Sequence, residues 1–182
     1  MRSNEFTYLT GQISDLKIHF LPPLDPLAQY TTEQQRSILA FRFLAHAEVE
    51  TYLEDVCDTL NKDLIRELPL QLVKPVHLWA ADASKKSTEA IKSNHGVAEK
   101  NIRAMFDPLG FTSESYAEVS SLFLLDMTAF AKKRGDIAHN SSQRISYSVT
   151  RQGDEKLVDN VLKHLEAFDA LVIKSRLLSF FR

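Results

Sequence analysis

The chain has one cysteine, Cys57. That excludes an internal disulfide framework and any cysteine-based structural zinc site, and it fits a reducing compartment. Glycine and proline are also scarce, with 5 and 6 copies in 182 residues. Proline is missing from 27–68 and 111–182, and both are missing from 154–182, a pattern that suits helices and not turn-rich sheets. Charge of one sign is lacking too. The net charge is −2 and the pI about 6.3, so any nucleic-acid binding must come from a local basic patch. The longest apolar runs, Leu122 to Leu125 and Ala170 to Ile173, are far short of the roughly 20 residues that span a bilayer. Met1 to Thr10 has no signal-peptide apolar region, so the expectation is a soluble cytoplasmic protein with no membrane partner. No solenoid repeat and no low-complexity tract is present. There is no phosphate-cradling glycine loop, no H-E-x-x-H and no G-x-S-x-G. The six histidines (19, 46, 77, 95, 139, 164) show no metal-ligand spacing, and no metal or cofactor is expected.

What is present reads as one helical domain. Hydrophobic residues make up 44% and charged residues 25%, ordinary values for a globular chain of single-domain length. Phe6, Leu9, Ile13, Leu16 and Phe20 form a helical stripe that stops at Pro22-Pro23. Thr31 and Thr32 stand three residues before Gln34 and Gln35 as a capping-box signature. From there Ile38, Phe41, Ala45, Val49, Tyr52, Val56, Leu60 and Leu64 predict a long helix over 33–67. Pro69 and Pro75 bound a link, 76–93 reads as a more polar helix with His95-Gly96 as its carboxyl cap, and 97–106 as a shorter one. Ser113 or Ser115 caps a helix carrying Val119, Leu122, Phe123, Met127 and Phe130. Residues 141–153 fit a loop or a short extended piece equally, and a last helix begins near Asp154. The expected fold is all-α, an up-and-down antiparallel bundle of five or six helices. Residues 1–182 make a single domain, with 1–30 an amino-terminal helix and proline-rich link and 31–182 the core bundle. Leu177 to Phe181 is apolar for a chain end and is expected to pack on the bundle or on a second copy.

Charge is distributed unevenly. Met127 to Gly153 carries Lys132, Lys133, Arg134, Arg144 and Arg151 against Asp136 alone, a local balance of +4 that leaves −6 for the rest. A basic segment holding one histidine beside one arginine suits phosphodiester binding, with Lys132, Lys133, Arg144 and Arg151 as RNA-binding candidates. The plainer reading is a solvated helix end complementing its own dipole.

Arg134-Gly-Asp-Ile-Ala-His139, followed by Asn140, resembles the R-x-x-x-x-H motif of HEPN domains, and its wording is most like the RiboL-PSP branch. As in that family, the motif follows an amphipathic helix and precedes a long one. Upstream, Glu50-Thr51-Tyr52-Leu53 is similar to the family's E-x-Y-Φ, where Φ is apolar. The resemblance spans about 33–180. It implies a helical bundle that dimerises with two motifs facing each other. In active members it implies metal-independent RNA cleavage, in toxin–antitoxin or defence settings with an antitoxin or other protein partner.

The residue types suit that chemistry. Metal-free cleavage needs a base for the ribose 2′-hydroxyl, an acid for the leaving 5′-oxygen and a cation for the phosphorane. Histidine fills either proton-transfer role, and arginine forks onto phosphate. One histidine cannot readily do both, so two copies of His139, one per subunit, divide the work across a two-fold axis. Arg134 and His139 are the catalytic candidates, with Asn140, Asp136 and Glu50 in support. Asn140 binds phosphate or orients the imidazole, and Asp136 either raises the pKa of His139 or is an exposed acid. Arg42, His46 and Glu50 stand at i, i+4 and i+8. They are either a solvent-facing ladder or a stripe whose Glu50 turns inward to pair with Arg134. His19, His77, His95 and His164 receive no role; Tyr52 and Trp79 are read as core and Cys57 as a small buried residue. Two rival readings stand beside the nuclease: a non-catalytic HEPN RNA- or protein-binding module, and a purely structural helical oligomerisation subunit.

Overall fold

The computed structural model of the chain describes residues 2–27, 29–67, 75–139 and 150–176; of 67, 75–77 and 135–139 the backbone alone is described. Seven α-helices follow one another: α1 (Asn4–Phe20), α2 (Thr32–Glu67), α3 (Pro75–Lys92), α4 (Glu99–Phe106), α5 (Ser113–Val119), α6 (Phe123–His139) and α7 (Arg151–Ser175), with a 3-10 turn at Asp107–Leu109 after α4. No strand occurs among the described residues, and no helix there is long and apolar enough to cross a membrane. The fold is an all-α bundle. Leu177 to Phe181 lies outside the described residues, as do Asn140 and Arg144.

Helix starts follow local chemistry. The Ser3 hydroxyl caps α1 by accepting from the Phe6 amide. Thr31 and Gln34 close a reciprocal capping box at α2: Thr31 Oγ1 accepts from the Gln34 amide at 3.2 Å and Gln34 Oε1 from the Thr31 amide at 2.9 Å. Four expectations need correction. Thr112, not Ser113 or Ser115, caps the helix at 113, with Ser115 as its capping-box partner. That helix does not run on to Phe130. Ser120 is extended, and its hydroxyl accepts from the Leu122 amide at 3.1 Å; a serine that offers the backbone a local bond breaks the helix. The break turns Phe123 into the core and leaves Leu122 exposed. Gly96 does not cap α3, which closes through the Ser93 and Asn94 amides onto Glu89 and Ile91. The last helix begins at Arg151, three residues before Asp154, because Thr150 Oγ1 accepts from the Gly153 amide at 3.2 Å. A Cβ on Gly153 would stand 2.8 Å from that oxygen, so only glycine lets the cap approach.

α2 lies at the centre and packs against α1, α3, α4, α6 and α7. Its apolar stripe meets Phe6, Leu9 and Ile13 of α1, Ile102, Met105 and Phe106 of α4, Phe123, Met127 and Phe130 of α6, and Val158, Val161, Leu165, Phe168 and Val172 of α7 in one cluster. Phe168 is its aromatic hub, edge-on to Phe106 at 5.0 Å and stacked on Phe123 at 5.3 Å. Tyr52 and Cys57 are buried as expected, whereas Trp79, read as core, is 51% exposed. α3 instead meets α2 through small residues: Ala80 and Ala83 pack with Leu64, and Ser87 Oγ contacts Cys57 and accepts from Asn61.

Polar ties fix the helices' positions. Arg42 of α2 pairs with Asp154 of α7, both buried. The Ser3 amide and hydroxyl donate to the Asp169 carboxylate, and Tyr52 Oη donates to the same group at 3.2 Å. Arg176 donates to Asp63 at 2.7 Å. Removing one partner of a buried pair strands the other charge. Asp154→Ala should therefore lower the unfolding free energy by about 3–5 kcal/mol in urea titration, and Arg42→Met in the same chain should recover much of the loss.

Candidate functional site

The site grows from the polar side of α2. Arg42, His46, Glu50 and Glu54 recur every fourth residue, one stripe along the helix. The solvent-facing ladder is not what forms: Arg42 is 8% and His46 1% exposed, and the Glu50 side chain is 17% exposed. Neighbouring helices cover the stripe and meet it residue by residue. Arg42 goes to Asp154. Glu54 Oε1 accepts from Asn94 Nδ2 at 2.7 Å. His46 stacks on Phe130 at 5.3 Å, and neither ring nitrogen has a hydrogen-bond partner among the described residues. The nearest is Glu50 Oε2, 3.7 Å from Nδ1.

α6 brings Arg134 to this stripe. Its Nη1 donates to the His95 carbonyl at 3.4 Å, and its guanidinium lies over the Phe43 ring, 5.4 Å from the centroid. Glu50 and Arg134 are electrostatic neighbours without a direct ion pair among the described contacts. Burial raises the Glu50 carboxyl above the usual carboxylate range, Arg134 pulls it back down, Glu54 raises it and His95 lowers it. Burial, helped by Arg134, lowers His46 to about 4, so its ring is neutral at physiological pH. The arrangement is a cation held by a carbonyl and an aromatic face, over a desolvated carboxyl and a neutral imidazole.

The other sequence-derived residues fall as follows. Lys132 and Lys133 are exposed on α6, beside Arg134. α6 stays helical through Gly135 to His139, so Arg134 and His139 are about 140° apart around the axis. The side chains of Asp136 and His139 lie outside the described residues, as do Asn140 and Arg144 entirely. Arg151 is anchored: its Nη1 donates to the Pro22 carbonyl at 2.9 Å, and Nε lies 3.6 Å from Glu155. His164 bonds Asp126 at 2.8 Å, away from this cluster. Two residues passed over in the sequence stand at the arginine: Phe43, half-exposed under the guanidinium, and His95, whose carbonyl receives it. The spacing Phe43–Ala47–Glu50 puts Phe43 on the same side of α2 as Glu50, which was the available signal; nothing local marked His95.

Cys57 offers no nucleophile. Burial pushes its thiol up to about 12, and its sulfur contacts Ser87 Oγ and the Met105 carbonyl. Comparison with known protein families, curated proteins and solved structures finds no match.

Two outcomes are expected. The folded chain should react with a thiol reagent such as DTNB only as fast as it opens, with full reactivity in denaturant. Because His46 is held below its unfolded value near 6.5, the unfolded chain binds the extra proton between pH 6.5 and 4. Stability should be constant for this group above 6.5 and fall as pH drops toward 4, by at most about 1.4 kcal/mol per pH unit. His46→Leu should flatten that slope in denaturation curves measured across the window.

Proposed function

We propose that the chain is a metal-independent endoribonuclease of HEPN type, acting as a homodimer in which two Arg134–His139 motifs face each other. Its setting is a toxin–antitoxin or defence system. The observation that carries this reading is the placement of Arg134: in the last turns of α6, half-buried, steadied by the His95 carbonyl and the Phe43 ring, and flanked by exposed Lys132 and Lys133. A guanidinium fixed in that way is preorganised to receive a phosphate, since its ordering cost is met before the ligand arrives. Glu50, desolvated beside it, is a positioning residue that holds the cation without quenching it through a direct pair. In this reading the neutral imidazole of one His139 removes the 2′-hydroxyl proton and the protonated imidazole of the other delivers a proton to the 5′-oxygen.

A second reading, a non-catalytic RNA- or protein-binding module, draws on a different observation. Arg36, Leu39, Ala40, Phe43 and Leu44 line a shallow apolar groove of about 370 Å³ along α2, next to Arg134. A face of that kind suits a protein partner or a second copy.

The test is cleavage of single-stranded RNA in chelator. The wild-type protein should cut, while Arg134→Ala and His139→Ala should each lose about 10²- to 10⁴-fold in rate; equal cleavage by wild type and His139→Ala ends the nuclease reading. RNA retention without cleavage moves the assignment to the binding module. Sedimentation should give a dimer at micromolar concentration, and a monomer there removes the facing-motif arrangement. Glu50→Gln should slow cleavage while leaving the thermal transition in place.

A further inference from the structure

The apolar groove beside Arg134 runs along two turns of α2. Leu39, Ala40, Phe43 and Leu44 line it together with Arg36, around a volume of about 370 Å³, and none of the five is acidic. Arg36 and Phe43 are seven residues apart, so they share one side of the helix and lie about 10 Å from each other along its axis. Arg36 is exposed. Phe43 remains 38% exposed even though the Arg134 guanidinium lies over its ring, 5.4 Å from the centroid. That guanidinium is also held by the His95 carbonyl, and Lys132 and Lys133 stand exposed just before it on α6. The groove therefore combines a part-open aromatic ring, a lining kept shallow by the small side chain of Ala40, and a cation at either end. A single nucleic-acid strand asks for those three things: a ring on which a base can stack, room for the base, and positive charge for the phosphates beside it. A duplex keeps its base faces inside the stack and offers the ring nothing. A protein partner would meet the same apolar lining, but a cationic frame with no carboxylate in the lining favours a polyanion.

We propose that this groove is a base subsite: it takes one unpaired nucleobase of an RNA strand, stacked on Phe43 and seated over Ala40 between Leu39 and Leu44, while Arg134 and Arg36 meet the phosphates on either side of that base. The inference rests on the reading of Arg134 as the residue that grips the strand, and it adds the form of the substrate, which must be single-stranded where it is gripped. Apart from Arg36 the lining offers no side chain that hydrogen-bonds a base edge. The subsite thus holds a base by its face, which every base has, and fixes the strand's position and not its sequence.

The experiment compares two end-labelled strands by fluorescence anisotropy: a mixed-sequence 2′-O-methyl oligoribonucleotide, which cannot be cut, and the same backbone without bases. Wild type should bind the base-bearing strand about 5- to 150-fold more tightly than the bare backbone. Ala40→Leu fills the groove and leaves the Phe43–Arg134 contact in place; this variant and Phe43→Leu should each bring the two affinities close together. In Ala40→Leu the affinity for the bare backbone and the thermal transition should stay as in wild type. Arg36→Ala should weaken both strands alike. Equal binding of the two strands by wild type, binding of neither, or a full preference for bases retained in Ala40→Leu overturns the proposal. An Ala40→Leu protein that changes its sedimentation while keeping its strand preference also overturns it, because the groove is then filled by a second copy. Cleavage of ordinary RNA decides the nuclease reading separately. A base preference without cleavage supports the subsite and ends the nuclease; cleavage with no base preference overturns the subsite and leaves the nuclease standing.

Discussion

The burial of a polar stripe on a central helix is the constraint from which the rest follows. α2 is packed on by five other helices, so Arg42, His46, Glu50 and Glu54 cannot all turn to water. Each buried polar group then demands a partner or a change of protonation. Arg42 finds Asp154 and so fixes the start of α7. Glu54 finds Asn94 and so fixes the α3–α4 link. His46 finds no hydrogen-bond partner among the described residues and is held neutral, and its ring stacks on Phe130 of α6.

Placing α6 and the α3–α4 link against one carboxyl also concentrates chemistry. A half-buried guanidinium, a largely buried carboxyl and the His95 carbonyl come together from three separate segments. The same burial raises Glu50 and lowers His46, the kind of environment in which acid–base groups are found. The Asp169 cluster is buried and polar as well, but there the Ser3 amide, the Ser3 hydroxyl and the Tyr52 hydroxyl all donate to the carboxylate. With its acceptors so well supplied, it reads as a structural latch between α1, α2 and α7.

Much of the fold was legible from local pattern. The Phe6–Leu9–Ile13 stripe, the Thr31–Gln34 box and the Val158–Val161–Leu165 repeat each reappear as a helix or its cap. Elements were misread where two local preferences compete. The Ser120-Ser121 pair sits within an unbroken apolar period, and its hydroxyl chemistry won over that period. Thr150 and Gly153 made a cap from a segment too polar to announce a helix. Trp79 was read as core by default, as an aromatic at helical spacing, yet small residues of α3 face α2 and the indole is left half-exposed.

For the candidate site, the chain's own order determined that Arg134 would stand on a helix in a basic stretch, because a motif and its periodicity are both local. Only the tertiary structure decided what Arg134 touches. That Arg42 and His46 would be buried, that Phe43 would lie under the guanidinium, and that His95 would come to the same place all depend on how helices distant in sequence cross α2. Side-chain periodicity states which face is apolar; it carries no record of which neighbour will cover the polar one, since that choice is made by packing and by the need to satisfy each buried charge.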